Sequence, residues 1–147
     1  MGEASGRRHL PDEAERPWIL PVLAVTGGAA AVAFYKAAFG ATEVHVLTAP
    51  DGAVAAQLAI GRARFMVSDE SPEHQNFSPE RLGGGTVRLG LVVEDPRAVF
   101  ARALAAGGRA VYPVDHKRWG WLQGRLADPF GHHWEIGRPS RPGEGAE

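Results

Sequence analysis

The residues best suited to chemistry lie near the carboxyl end of the chain, where a glutamate follows two histidines. Glu135 comes shortly after an Asp-Pro-Phe-Gly turn at 128–131 and the pair His132 and His133. Successive side chains of a strand point to opposite faces, so at most one of these histidines can share a face with Glu135. This alternation places His133 beside Glu135. One hypothesis from this pattern is metal-free acid–base chemistry by Glu135, with His133 or His116 nearby.

The histidines and acids of the chain do not, by their spacing, predict a metal site. No pair fits a compact ligand motif such as His-x-x-x-His on one helix face. Single histidines such as His9, His45 and His74 are more often surface or hydrogen-bonded residues than ligands. There is no cysteine, which excludes thiolate metal sites, disulfides and a cysteine nucleophile.

Two tryptophans offer surfaces on which a planar molecule could stack. Trp119 and Trp121 flank Gly120 in a passage from loop to strand. Their indole rings can stack on planar ligands and donate a hydrogen bond through the ring N–H. Core packing or a subunit contact would explain the same residues equally well. For Trp134, packing in the core is the favoured interpretation.

The elements that must position these residues follow an internal repeat. Each half of the chain shows a strand, a helix and then three strands. Val25 and Val93 occupy matching positions (93 − 25 = 68), and Gly40 and Gly108 share that offset. Apolar residues recur at helical spacing in both halves. Asp95 is a natural N-cap, and the two glycines suit left-handed positions after the helices.

Composition limits the class of protein. The chain has 147 residues, of which 44% are hydrophobic, and a formal net charge of −1. These values predict one domain with a real core and argue against a nucleic-acid partner. No apolar run is long enough to span a membrane or to serve as a signal peptide. Polar tails are expected at 1–16 and 138–147, around an ordered body at 17–137. A cytoplasmic location is expected.

Three segments resemble a known superfamily. They are Phe34-Tyr35-Lys36-Ala37-Ala38-Phe39-Gly40-Ala41 in the first helix, Phe65-Met66-Val67-Ser68-Asp69-Glu70, and Asp128-Pro129-Phe130-Gly131-His132-His133-Trp134-Glu135-Ile136. In this order they resemble the vicinal-oxygen-chelate superfamily of glyoxalase, bleomycin-resistance proteins and extradiol dioxygenases, with a PhnB-like subgroup as the nearest. The resemblance implies an α+β fold of two βαβββ modules, whose sheets curl around a shared cleft. Module one would span 17–70, a linker 71–85 and module two 86–137.

The resemblance also implies where a divalent metal would be bound, with one ligand on the first and last strand of each module. The last-strand position of module two is Glu135, and the 68-residue offset transfers it to Val67. The first-strand positions are Leu20 and Arg88. Only Glu135 can bind a cation, because leucine and valine have no lone pair and arginine is permanently charged. No cofactor is therefore expected, and Arg88 is predicted to form an ion pair with Glu135 in place of the metal.

The predicted cleft suggests a function in binding. Its wall from module one is expected to be apolar, with Leu20, Val22, Phe65 and Val67, and such pockets suit aromatic molecules. The first hypothesis is a metal-free protein that binds a hydrophobic or aromatic small molecule, with antibiotic sequestration as one role. The alternative is a lyase, isomerase or dioxygenase that uses a divalent metal or Glu135. A third is an interaction module whose cleft is filled by Trp119, Trp121 and Phe65. A homodimer is expected because sheet edges remain exposed.

Overall fold

The computed structural model describes residues 17–145, which form two modules of the same design. Module one contains β1 (Val22–Val25), α1 (Gly28–Phe39), β2 (Thr42–Thr48), β3 (Val54–Ile60) and β4 (Ala63–Asp69). A connector with a 3-10 turn (Pro72–His74) and a short helix α2 (Pro79–Leu82) follows. Module two contains β5 (Arg88–Val92), α3 (Pro96–Ala105), β6 (Arg109–His116), β7 (Trp121–Ala127) and β8 (His133–Pro139). The predicted α+β class and the paired βαβββ modules are confirmed.

Each module has a four-stranded mixed sheet, and the two sheets have the same topology. The strand orders are β1-β4-β3-β2 and β5-β8-β7-β6. The first strand of each module runs parallel to the last, while the other neighbours are antiparallel. One side of each sheet is covered by its helix, and we call the other side the open face. The open face of the second sheet carries Arg88, His133 and Glu135.

The helices form because apolar residues recur on one side and the ends are capped. In α1 the residues Ala31, Phe34, Tyr35 and Ala38 are buried at the spacing expected from the sequence. Gly40 ends this helix in the left-handed region, with φ of 67°. Asp95 caps α3 by accepting a hydrogen bond from the backbone N–H of Ala98 at 3.2 Å. These predicted features are confirmed.

The helix-covered sides of both sheets share one aromatic core. Phe65 from β4 and Trp134 from β8 have ring centroids 5.5 Å apart. Tyr35 of α1 lies between them, at 5.3 Å from Phe65 and 5.5 Å from Trp134. The large rings bury apolar area that neither module could bury alone, so the core fixes the two modules against each other.

The turn at 128–131 is tied into this core by its aspartate. The buried Asp128 accepts hydrogen bonds from the Tyr35 hydroxyl at 2.5 Å and the Trp134 indole N–H at 2.9 Å. Its other oxygen accepts from the backbone N–H groups of Phe130 and His132, at 2.9 and 3.0 Å. Burial and the neighbouring Asp128 charge raise the pKa of Tyr35 well above its ordinary value, so this hydroxyl stays a donor. Asp128 therefore has a structural role, because it ties the turn to the core.

Three sequence predictions about local structure are wrong. The alternation of apolar residues from Val87 to Val93 predicts that Val87 packs against the helix, but Val87 lies just before β5 and is 74% exposed. The left-handed glycine after α3 is Gly107, with φ of 124°, and not Gly108. A tail was expected from residue 138, but β8 runs to Pro139 and Arg138 binds Glu144 through two hydrogen bonds of 2.8 and 3.1 Å. The N-terminal tail predicted at 1–16 lies outside the described residues.

Candidate functional site

A cleft of about 510 Å³ lies between the two modules and the connector. Its walls come from the open faces of both sheets and from residues 75–87. The lining residues are Val22, Ala24, Ser68, Gln75, Asn76, Phe77, Pro79, Leu82, Gly84, Gly85, Thr86, Val87, Arg88, Arg125, Gly131, His132 and His133. This volume lies within the range of sites for small organic molecules.

The connector is held over the cleft by specific contacts. Glu70, which follows β4, binds Arg81 of α2 with hydrogen bonds of 3.1 and 2.9 Å. It also accepts a hydrogen bond from the backbone N–H of Ser78 at 3.1 Å. In addition, His132 Nε2 is 2.8 Å from the carbonyl oxygen of Ala24. This contact joins β1 to the residue that precedes β8 in module two. These contacts link the connector to module one, and module one to module two.

The predicted Arg88–Glu135 ion pair is confirmed, and a second arginine joins it. Arg88 Nε is 3.3 Å and Arg125 Nη2 is 3.0 Å from Glu135 Oε2. The hydroxyl of Tyr112 donates to the same oxygen at 3.2 Å. Arg125 and Glu135 are direct cross-strand partners in β7 and β8, so their side chains share the open face. Glu135 is therefore neutralised by two cations.

The electrostatics favour a charged glutamate and a neutral histidine. Burial acts to raise the pKa of Glu135, but hydrogen bonds from Arg125, Arg88 and Tyr112 outweigh it and the pKa falls below its ordinary value. For His133, burial and then the positive charges of Arg125 and Arg109 lower the pKa. Glu135 is thus a poor general acid and a weak base at neutral pH.

The position that should bind a metal in this fold does not suit a cation. Two guanidinium groups occupy the space around the single carboxylate, and each would repel a divalent ion. Among the described residues, no group of three or more His, Asp or Glu side chains is arranged to hold a metal. The residues present do not fit the metal that the fold family implies.

Two cleft residues predicted from module one, Phe65 and Val67, lie instead in the core. Phe65 is 4% and Val67 0% exposed. Met66 pairs with Val22 of β1. Glu135 pairs with Gly90, which is the position of β5 that matches Val22 in the repeat. The module-one equivalent of Glu135 is thus Met66 (135 − 66 = 69), one residue away from the predicted position. A shift of one residue moves every side chain of a strand to the other face.

The other predicted residues are spread around the site. His133 lines the cleft with Arg88, as expected. Trp121 is half-buried on the strand that carries Arg125, whereas Trp119 is 60% exposed in the preceding turn. Leu20 is half-buried ahead of β1 and is not among the cleft-lining residues. Neither tryptophan fills the cleft, and the occluded cleft that would favour a ligand-free interaction module is not found.

Sequence reasoning missed Arg125 and Tyr112. Arg125 stands between buried Gly124 and Leu126, so the alternation of β7 could have assigned it to the open face together with Trp121. No comparable signal exists for Tyr112, because irregularities in pairing on both sides of this residue shift the register of β6. A bulge changes which face a side chain occupies without leaving a clear mark in the sequence.

The chain belongs to the Glyoxalase/Bleomycin resistance protein/Dioxygenase superfamily, whose sequence model matches residues 18–136. An uncharacterized protein of Mycobacterium tuberculosis is 40% identical over 129 residues, which cover 85% of this chain and 76% of that one. Among solved structures, a gene product of Arabidopsis thaliana is 31% identical, with 81% and 94% of the two chains covered and a TM-score of 0.62. TioX from a Micromonospora species is 29% identical, with 85% and 98% covered and a TM-score of 0.63.

The described residues include no helix that combines the length and the apolar character needed to cross a membrane.

Proposed function

We propose that this protein binds a hydrophobic or aromatic small molecule in the cleft between its modules, without a metal. The observation that carries the proposal is the composition of the cleft wall. Val22, Phe77, Leu82 and Val87 all line the cleft and are all exposed. These apolar side chains surround one concave site. Binding of a ligand that removes them from water is favourable by about 25 cal/mol for each Å² of apolar surface buried.

The Glu135 cluster supports binding over catalysis. The glutamate that would bind a metal is paired with Arg88 and Arg125. Its lowered pKa also makes it a weak proton acceptor. Neither metal-assisted nor acid–base chemistry has a suitable group at this position, so the lyase, isomerase or dioxygenase alternative is the less favoured one. Sequestration of an antibiotic is one role that such binding would serve, in keeping with the family's name.

The test uses a neutral aromatic probe, 1-naphthamide, titrated against the purified protein by calorimetry. We expect saturable binding with one probe per chain. Val22→Asp, which places a charge in the apolar wall, should weaken binding at least tenfold because a buried carboxylate is costly. Val92→Asp is the matched control, since Val92 is 61% exposed compared with 62% for Val22 but does not line the cleft.

Metal analysis separates binding from catalysis. The purified protein should contain far less than one equivalent of Ni²⁺, Zn²⁺, Mn²⁺ or Fe²⁺, and these ions should not raise its melting temperature. Stoichiometric metal would overturn the proposal and favour the enzyme. Equal loss of probe binding in the two valine variants would show that the cleft is not the site.

We further propose a homodimer, a cytoplasmic location and membership of the PhnB-like subgroup. The dimer is supported by the free edge of the first sheet, where Val44, Val46 and Leu47 of β2 are exposed. Unpaired edge strands with apolar side chains commonly associate. Analytical ultracentrifugation should give a mass of twice 15.7 kDa, and a monomer at micromolar concentration would contradict it.

A further inference from the structure

The open face of the second sheet carries more positive than negative charge around the cleft. Arg109 and Lys117 lie on or just after β6, in addition to Arg88 on β5 and Arg125 on β7. Arg109 pairs with Ala127, and Ala127 pairs with His133, so these three residues share the open face. Lys117 lies over the Tyr112 ring, with its Nζ 4.7 Å from the ring centroid.

Among the described residues, two acidic side chains, Glu135 and Asp115, share this face with the four cations. Glu135 is already bound by two arginines, and Asp115 pairs with Gln123 near the far end of β6 and β7. Neither acid is among the residues that line the cleft, whereas Arg88 and Arg125 both are. The described cleft wall is therefore cationic on one side.

Arg125 has a hydrogen-bond donor that no described residue satisfies. Its Nε is buried and has no partner, although its Nη2 binds Glu135 at 3.0 Å. A buried guanidinium N–H without an acceptor is unfavourable, so Arg125 has hydrogen-bonding capacity that its contact with Glu135 does not use. The Arg125 side chain is one quarter exposed and is among the residues that line the cleft.

We propose that the molecule bound in the cleft carries a carboxylate, and that Arg125 and Arg88 bind this group. The inference rests on the proposed function and names the chemistry of its ligand. The carboxylate lies against the cationic wall while the apolar body contacts Val22, Phe77 and Leu82. A planar guanidinium matches the two oxygens of a carboxylate and forms paired, charge-assisted hydrogen bonds.

The test compares 1-naphthoate with the neutral 1-naphthamide, which has the same ring and nearly the same shape. By calorimetry at low salt, the wild-type protein should bind naphthoate about tenfold more tightly, since one charge-assisted contact is sufficient for this ratio. Arg125→Met should reduce the preference to less than twofold. The matched control Arg62→Met removes an arginine from the exposed turn between β3 and β4 and should leave the preference unchanged.

A second variant covers the case in which Arg125→Met does not fold. The double variant Arg125→Met, Glu135→Gln removes both charges. No carboxylate is then left without its Arg125 partner. Its circular dichroism should match that of the wild type, and it should also lose the preference for naphthoate. A preference retained in this variant would overturn the assignment of Arg125.

The outcomes separate this inference from the proposed function. If neither probe binds, the binding function itself fails. If both probes bind equally to the wild type, the cleft takes apolar ligands but the carboxylate inference is overturned. If 1-naphthyl phosphate binds more tightly than 1-naphthoate, the acidic group is a phosphate and the carboxylate is the wrong assignment.

Discussion

Replacing Asp128 with alanine tests the contact between the two modules. The variant removes an acceptor shared by Tyr35 of α1, by Trp134 of β8 and by two backbone N–H groups of the turn. The hydroxyl of Tyr35 and the indole N–H of Trp134 would remain buried in a core that offers them no water. The perturbation therefore acts on stability through unsatisfied donors.

The magnitude follows from counting those donors. Each buried polar group left without a partner costs about 1–3 kcal/mol. Two side-chain donors and a weakened turn give about 3–5 kcal/mol, allowing for relaxation and for effects that are not additive. For a domain of this size, the melting temperature should fall by roughly 2–4 °C per kcal/mol.

Two further variants partition the effect. Tyr35→Phe removes one donor but leaves Asp128 with three, so it should cost about 1–2 kcal/mol. Asp51→Ala is the control, because this exposed carboxylate accepts one hydrogen bond, from the backbone N–H of Ala53 at 3.0 Å. It should cost under about 1 kcal/mol.

The assay is urea unfolding followed by circular dichroism and by tryptophan fluorescence, with the free energy taken by linear extrapolation. Coincident transitions would show that both modules unfold together, as their shared core requires. An Asp128→Ala cost of less than about 1 kcal/mol, which is no more than that of the Asp51 control, would refute the reasoning.

Three other predictions follow from packing and charge. Phe65→Ala should destabilise the protein by about 3–5 kcal/mol and Met66→Ala by much less, because only Phe65 of the two lies in the core. Equal losses of unfolding free energy in urea would contradict the register of β4. Gly131→Ala should cost about 1–3 kcal/mol, since φ is 93° and the new Cβ would lie 2.8 Å from a proline carbon; an unchanged melting temperature would argue against this geometry. Hydrogen bonds from Arg81 lower the pKa of Glu70 from 4.5 to about 2. Because the folded pKa is the lower one, this stabilisation is complete above pH 4.5 and is lost as the pH falls toward 2. Glu70→Gln should remove that part of the acid dependence, and an identical acid profile in the variant would contradict the contact.

The local features of the sequence predicted much of the fold. Apolar spacing, Asp95 and Gly40 identified the helices, because these signals depend on residues close in the chain. Alternation in the last strand also placed Glu135 and His133 on the open face. The superfamily resemblance, combined with the internal repeat, placed Arg88 near them.

The tertiary structure alone decided which residues meet at the site. A one-residue difference between the modules put Met66 on the open face and Val67 in the core, and no local pattern in the sequence reveals that insertion. Arg125 lies beside Glu135 because β7 pairs with β8. Sequence periodicity determines which side chains share a face within a strand, but register and sheet packing determine their partners, because those depend on contacts between distant segments.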